Sequence, residues 1–192
     1  MQLSLTDPRL IASAIVLVLV VIIAIAIYLR DRRRTTEGLR TRFGREYDRA
    51  VVTHGSERKA EAKLADRESR VEAMKLRDLA LSERDRFVAD WQTIQLRFVD
   101  HPKGALTEAD ELVAALLLAR GYPAAPADQR AADISVNHPT LVEYYRSAHA
   151  VAARAGKDET TTEELRAALV QFRSIFDELV YSRSASPIKA VA

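Results

Sequence analysis

Twenty consecutive residues near the start of this chain, Leu10–Leu29 (LIASAIVLVLVVIIAIAIYL), carry no charge, and fourteen of them are Leu, Ile or Val. A helix of that length spans roughly 30 Å, the hydrocarbon thickness of a bilayer. Half of the run is β-branched, which in water would favour a strand. Inside lipid, however, only a helix lets a single segment satisfy all its own N–H and C=O groups. The run therefore predicts one N-terminal transmembrane helix. A cleaved export signal is the rival, because Ala24-Ile25-Ala26 resembles a small-x-small cleavage site. Against it stand the length of the apolar run, a front flank with only Arg9, and the arginines immediately behind.

Those arginines define the second feature. Tyr28 suits a membrane interface, and Arg30, Arg32, Arg33 and Arg34 follow it directly. From Arg30 to Glu46 there are seven arginines against Asp31, Glu37 and Glu46, a local charge of +4 in a chain whose net charge is only +2. The positive-inside rule then predicts a short N-terminus outside and the bulk of the chain in the cytoplasm. The same arginines can attract anionic lipid headgroups. Because the basic excess is confined to this flank and no basic stripe with interleaved aromatics follows, nucleic acid is not an expected partner.

The remaining sequence reads as all-α. Six glycines, six prolines and an aromatic fraction of 6% in a background rich in Ala, Leu, Arg and Glu favour helices. The absence of cysteine excludes disulfides and thiolate chemistry. Four parts are expected: residues 1–29, a short outside N-terminus and transmembrane helix; 30–56, a basic juxtamembrane helix and linker; 57–181, an antiparallel helical bundle; and 182–192, a disordered tail.

Within 30–56, Leu39, Phe43, Tyr47 and Val51 recur every four residues and predict one continuous amphipathic helix despite Gly44. Ser56 caps a charged helix over about 57–81 that buries Ala60, Leu64, Val71 and Met74. Ser82 is read as the cap of a helix carrying Phe87, Trp91, Ile94 and Phe98. Asp100-His101-Pro102 separates it from a helix ending at Gly121. The stretch GYPAAPADQ is a loop, followed by a short helical turn over 129–132 and an extended Ile134-Ser135-Val136. A helix over 139–155 ends at Gly156, and Thr161 with Glu164 forms a T-x-x-E capping box for the last helix, which ends near Tyr181.

The soluble part resembles a family of uncharacterised bacterial proteins with one N-terminal hydrophobic segment and a helical domain. The matching residues are Arg42-Phe43-Gly44 with Glu46-Tyr47; AKLADRESR over Ala62–Arg70; Trp91, Gln95, Phe98-Val99-Asp100 and Pro102; Ala109-Asp110 with Leu112-Val113; Arg120-Gly121-Tyr122-Pro123; Ser135-Val136, His138-Pro139, Glu143 and Tyr145-Arg146; and Thr162-Glu163 with Leu165-Arg166. The resemblance covers about Gly38–Val180 and implies membrane or secreted proteins with no known activity. His101 stands where the family pattern has an acidic residue, and Glu46 where it often has a proline, so neither is expected to be essential.

No catalytic motif is present: there is no Gly-rich phosphate loop, no G-x-S-x-G elbow and no H-E-x-x-H. His54, His101, His138 and His149 lack partners at helical ligand spacing, so neither a metal nor a cofactor is expected. The leading reading is a membrane-anchored helical module, not an enzyme, that binds another protein. Its alternative is a small-ligand or enzymatic domain with a polar pocket lined by Trp91, Gln95, Asp100, Tyr145 and Arg146. Glu143 joins that candidate group through Arg146. Tyr122, in a loop stiffened by prolines, is the candidate recognition residue.

Overall fold

In the computed structural model the described residues are 8–155, 157 and 160–183, with the side chains of 8–16, 28–29 and 31–33 outside that description. The expectations for the N-terminal 1–7, for the side chains of Tyr28, Arg32 and Arg33, for Gly156 and for the tail over 184–192 thus lie outside the described residues. All the regular structure among the described residues is helical. The chain divides into two compact units, Met1–Arg42 and Phe43–Ala192. The division falls inside the segment 30–56.

Helix α1 runs without a break from Pro8 to Phe43, through Thr35-Thr36, and fills the first unit. Among the described residues no helix is long and apolar enough to cross a membrane. The described side chains of the apolar run are those of Leu17–Ile27, and every one is exposed.

The second unit begins with a correction to the continuous helix expected across Gly44. That glycine has φ of +51°, outside helical space, so α1 stops and α2 (Arg45–His54) starts anew. Leu39, Phe43 and Tyr47 are buried as the spacing predicts, while Val51 is only half-buried and Ala50 takes its place. Gly55, at φ of +72°, ends α2, and Ser56 caps α3 (Glu57–Glu72) by accepting the Lys59 N–H.

Helix α3 ends nine residues short of the expected Leu81. An irregular stretch follows, tied down by the Arg77 N–H donating to the Arg120 carbonyl at 3.0 Å, with Leu79 buried in the core. Once Arg77 donates to another segment it is lost to a helical ladder, which sequence periodicity could not show. Helix α4 (Leu81–Asp100) starts at Ala80, not at a cap on Ser82: the Glu83 carboxylate accepts the Ala80 N–H at 2.9 Å, and Ser82 is exposed. Arg77 holds that carboxylate in place through both oxygens at 2.7 and 2.8 Å.

His101 separates α4 from α5 (Pro102–Ala119), whose first residue is the proline favoured there. Helix α5 closes in a Schellman motif, with the Gly121 N–H on the Leu118 carbonyl and the Tyr122 N–H on that of Leu117, both at 3.0 Å. Helix α6 covers Ala127–Asn137, correcting the extended reading of Ile134-Ser135-Val136. Residues 131–136 are buried on every side, so packing and the Ser135 hydroxyl bond to the Ala132 carbonyl override the local β preference. Helices α7 (Val142–Ala155) and α8 (Thr162–Tyr181) complete the bundle, the latter with the full Thr161/Glu164 capping box. Helices α5, α7 and α8 pack on one another, α4 packs on α5, α6 packs on α7, and α3 packs on both α2 and α6.

A buried charge layer as the candidate functional site

Most residues of the anticipated pocket are not brought together. Trp91 is core, its indole stacked on Phe176 with ring centres 4.8 Å apart. Gln95 is exposed and accepts from Arg173 across to α8, and Asp100 is exposed at the end of α4. Arg97 of the same helix pairs with Glu108 at 2.6 Å. Tyr122 is also corrected: its ring is buried in the main core, its N–H closes the helix stop on the Leu117 carbonyl, and its hydroxyl accepts from the Asn137 amide at 3.3 Å. It cannot serve as an exposed recognition residue.

Tyr145, Arg146 and Glu143 do share a polar region, but with partners that sequence spacing did not indicate. The first turn of α2 places Glu46 inward, 3% exposed, and Arg146 from α7 forks onto both of its oxygens, Nη2 reaching Oε2 at 2.9 Å. Arg67 of α3 approaches the same carboxylate, with Nη1 3.8 Å from Oε2. One turn further along α3, Arg70 pairs with the buried Asp133 of α6, which also accepts from Gln129 at 3.1 Å. Arg45 and Glu143 close the rim at 3.0 Å, where Arg45 is largely exposed. Five charged groups from α2, α3, α6 and α7 thus form one layer in which three guanidinium groups face two carboxylates.

Burial governs the electrostatics of this layer. It lowers the affinity of Arg67 for its proton, with Glu46 opposing that effect and Arg146 adding to it by repulsion. Burial likewise raises the Asp133 carboxyl above the usual range, and Arg70 pulls it back. Behind the layer, Tyr145 is buried under the Arg130 guanidinium and stacked on His149, with its phenol pushed up to about 12 by burial and by Asp110. The imidazole Nδ1 of His149 lies 2.7 Å from Asp110, which holds the ring orientation.

A second polar seam joins the ends of α5, α6 and α8 around a cavity of about 230 Å³. Its groups are committed to one another: Arg120 donates to the carbonyls of Leu179 and Ser182, His138 meets Glu178 at 3.2 Å, and Asn137 bonds Tyr122. The two sequence blocks containing Arg120-Gly121-Tyr122 and Asn137-His138 therefore meet to close the bundle. Among the described residues no group of three His, Asp or Glu side chains gathers to hold a metal ion.

Glu46, Arg67, Arg70 and Asp133 escaped the sequence-based site. Arg67 and Arg70 lie in AKLADRESR, three residues apart on one helical face, which was the available hint. Comparison with family models, with curated proteins and with solved structures gives no match for this chain.

Proposed function

We propose that this chain is a single-pass membrane-anchored protein whose helical unit, Phe43 onward, binds another protein at the cytoplasmic face of a bacterial inner membrane. The observation that carries the anchor is the state of α1: Leu17–Ile27 lie on all faces of one helix, and their large side chains are 49 to 66% exposed. A helix apolar all round belongs in a medium as apolar as itself. The uncharged run extends that stretch to Leu10–Leu29, long enough to span. Exposed Arg30 and Arg34 follow it, which supports an inward-facing C-terminal unit and contact with anionic headgroups. The reading as a binding module rests on the absence of any catalytic motif in the sequence together with an ordered helical bundle.

Alkaline carbonate treatment of membranes tests the anchor: the chain stays in the pellet, and release into the supernatant refutes insertion. A C-terminal reporter active only outside the cytoplasm tests orientation, and its activity would overturn the inward placement. Capture from solubilised membranes with and without residues 1–29 tests the partner; recovery of the bait alone in both cases removes the binding reading.

A further inference from the structure

The buried apolar side chains of the second unit fall into two sets. The main core runs from Leu79 to Val180 and contains none of the buried residues of α2 and α3. Phe43, Tyr47, Ala50, Ala60, Leu64 and Val71 lie apart from it, as do Ala132 and Val136 of α6. Within the pair, α2 and α3 pack on each other, and the Tyr47 hydroxyl bonds Glu61 at 3.1 Å. The pair is thus a small cohesive body of its own.

Besides the packing of α3 on α6, charge ties that body to the bundle. Glu46 meets Arg146, Arg70 meets Asp133, and Arg45 meets Glu143, each pair crossing from α2 or α3 to α6 or α7. Both ends of the body are breaks in helical structure. Gly44 has a positive φ with open space where a Cβ would stand, and after Glu72 the chain leaves the helix before Arg77 is pinned to Arg120. Ion pairs with one buried partner are two-sided: intact they hold, and with one charge removed the remaining charge is stranded away from water.

We propose that α2–α3 is a docked arm, latched by the Glu46–Arg146 and Arg70–Asp133 pairs, which opens as a unit while α4, α5, α7 and α8 stay folded. Opening uncovers the α6 face around Ala132 and Val136 and frees Arg146. The first helical body after α1 would then gate a surface of the bundle. This inference does not depend on the anchor or on the identity of a partner.

Hydrogen exchange followed by mass spectrometry on the full chain in detergent micelles tests it, with Trp91, the only tryptophan, reporting the core by fluorescence. In the parent protein, amides of 45–72 exchange at least tenfold faster than those of α5 and α8, because they open sub-globally. Glu46→Gln, and separately Asp133→Asn, speed exchange over 45–72 at least tenfold further and leave α5, α8 and the Trp91 signal unchanged. Equal protection of the arm and core in the parent overturns the proposal, as does equal acceleration of both in the variants. Loss of the Trp91 signal in both variants overturns it too, since the pairs would then belong to a single cooperative core.

Discussion

Gly121→Ala isolates how the bundle closes. At this position φ is +94°, and a Cβ would stand 2.5 Å from the Lys75 carbonyl oxygen and 3.2 Å from its carbon. Both atoms are backbone, so neither can swing aside as a side-chain tip would. The positive φ alone costs an alanine about 1–2 kcal/mol. Relieving the clash pushes the stretch after α3 away from the end of α5 and strains the Arg77-to-Arg120 backbone bond, whose net worth is about 1 kcal/mol. The sum is a loss of roughly 2–4 kcal/mol, or a melting temperature lower by roughly 5–15 °C for a domain of this size. Gly55→Ala is the control: its φ is +72°, but nothing lies within 4 Å of an added Cβ, so only the backbone term of about 1–2 kcal/mol applies. Urea unfolding followed by Trp91 fluorescence gives both values on one scale. If Gly121→Ala is no more destabilising than Gly55→Ala, the close approach of the two segments, and the reasoning built on it, is wrong.

Phe176→Ala removes the ring stacked on Trp91 and should cost about 3–5 kcal/mol, with a red shift of the tryptophan emission; a variant within 1 kcal/mol of the parent would show the stack to be dispensable. Thr161→Ala breaks the capping box of α8 and should cost about 1 kcal/mol in thermal melts, whereas Thr162→Ala, just inside the helix, should cost less. Burial, partly offset by Glu178, holds the His138 imidazole below its ordinary value of 6.5. As pH falls through that value the unfolded chain takes up a proton that the folded chain refuses, so stability declines on the acid side. Melting temperatures between pH 7.5 and 5 should therefore depend less on pH in His138→Gln than in the parent.

Most signals confined to a few residues were legible in the sequence. Ser56 and the Thr161/Glu164 box act through groups within three residues of each other, and the 3-to-4 spacing of Phe87, Trp91 and Ile94 reports a buried face directly. The misreadings at Gly44 and Ser82 were local, but the others share a cause in contacts between distant segments. The expected helix over 57–81 stops at Glu72 because Arg77 donates to Arg120, and Ile134-Ser135-Val136 is helical because α6 is enclosed on all sides. Tyr122 looked like an exposed loop residue because its partners Leu117 and Asn137 come from the helix before and the helix after.

The candidate site divides along the same line. Tyr145 and Arg146 were placed in a candidate pocket with Trp91, Gln95 and Asp100, and Glu143 was joined to it through Arg146, but the partners of Glu143, Tyr145 and Arg146 are Arg45, Arg130 and Glu46 on other helices. Glu46 was set aside as dispensable because the family pattern often has proline there, and it proves to be the buried centre of the charge layer. What the sequence by itself determined is the helical class, most helix stops, and the uncharged run with its arginine flank, since these follow from composition, capping and periodicity within a few residues. Only the tertiary structure decided which charges meet: Glu46 and Arg146 are a hundred residues apart, and no local preference encodes a pairing made by the packing of α2 and α3 against α6 and α7.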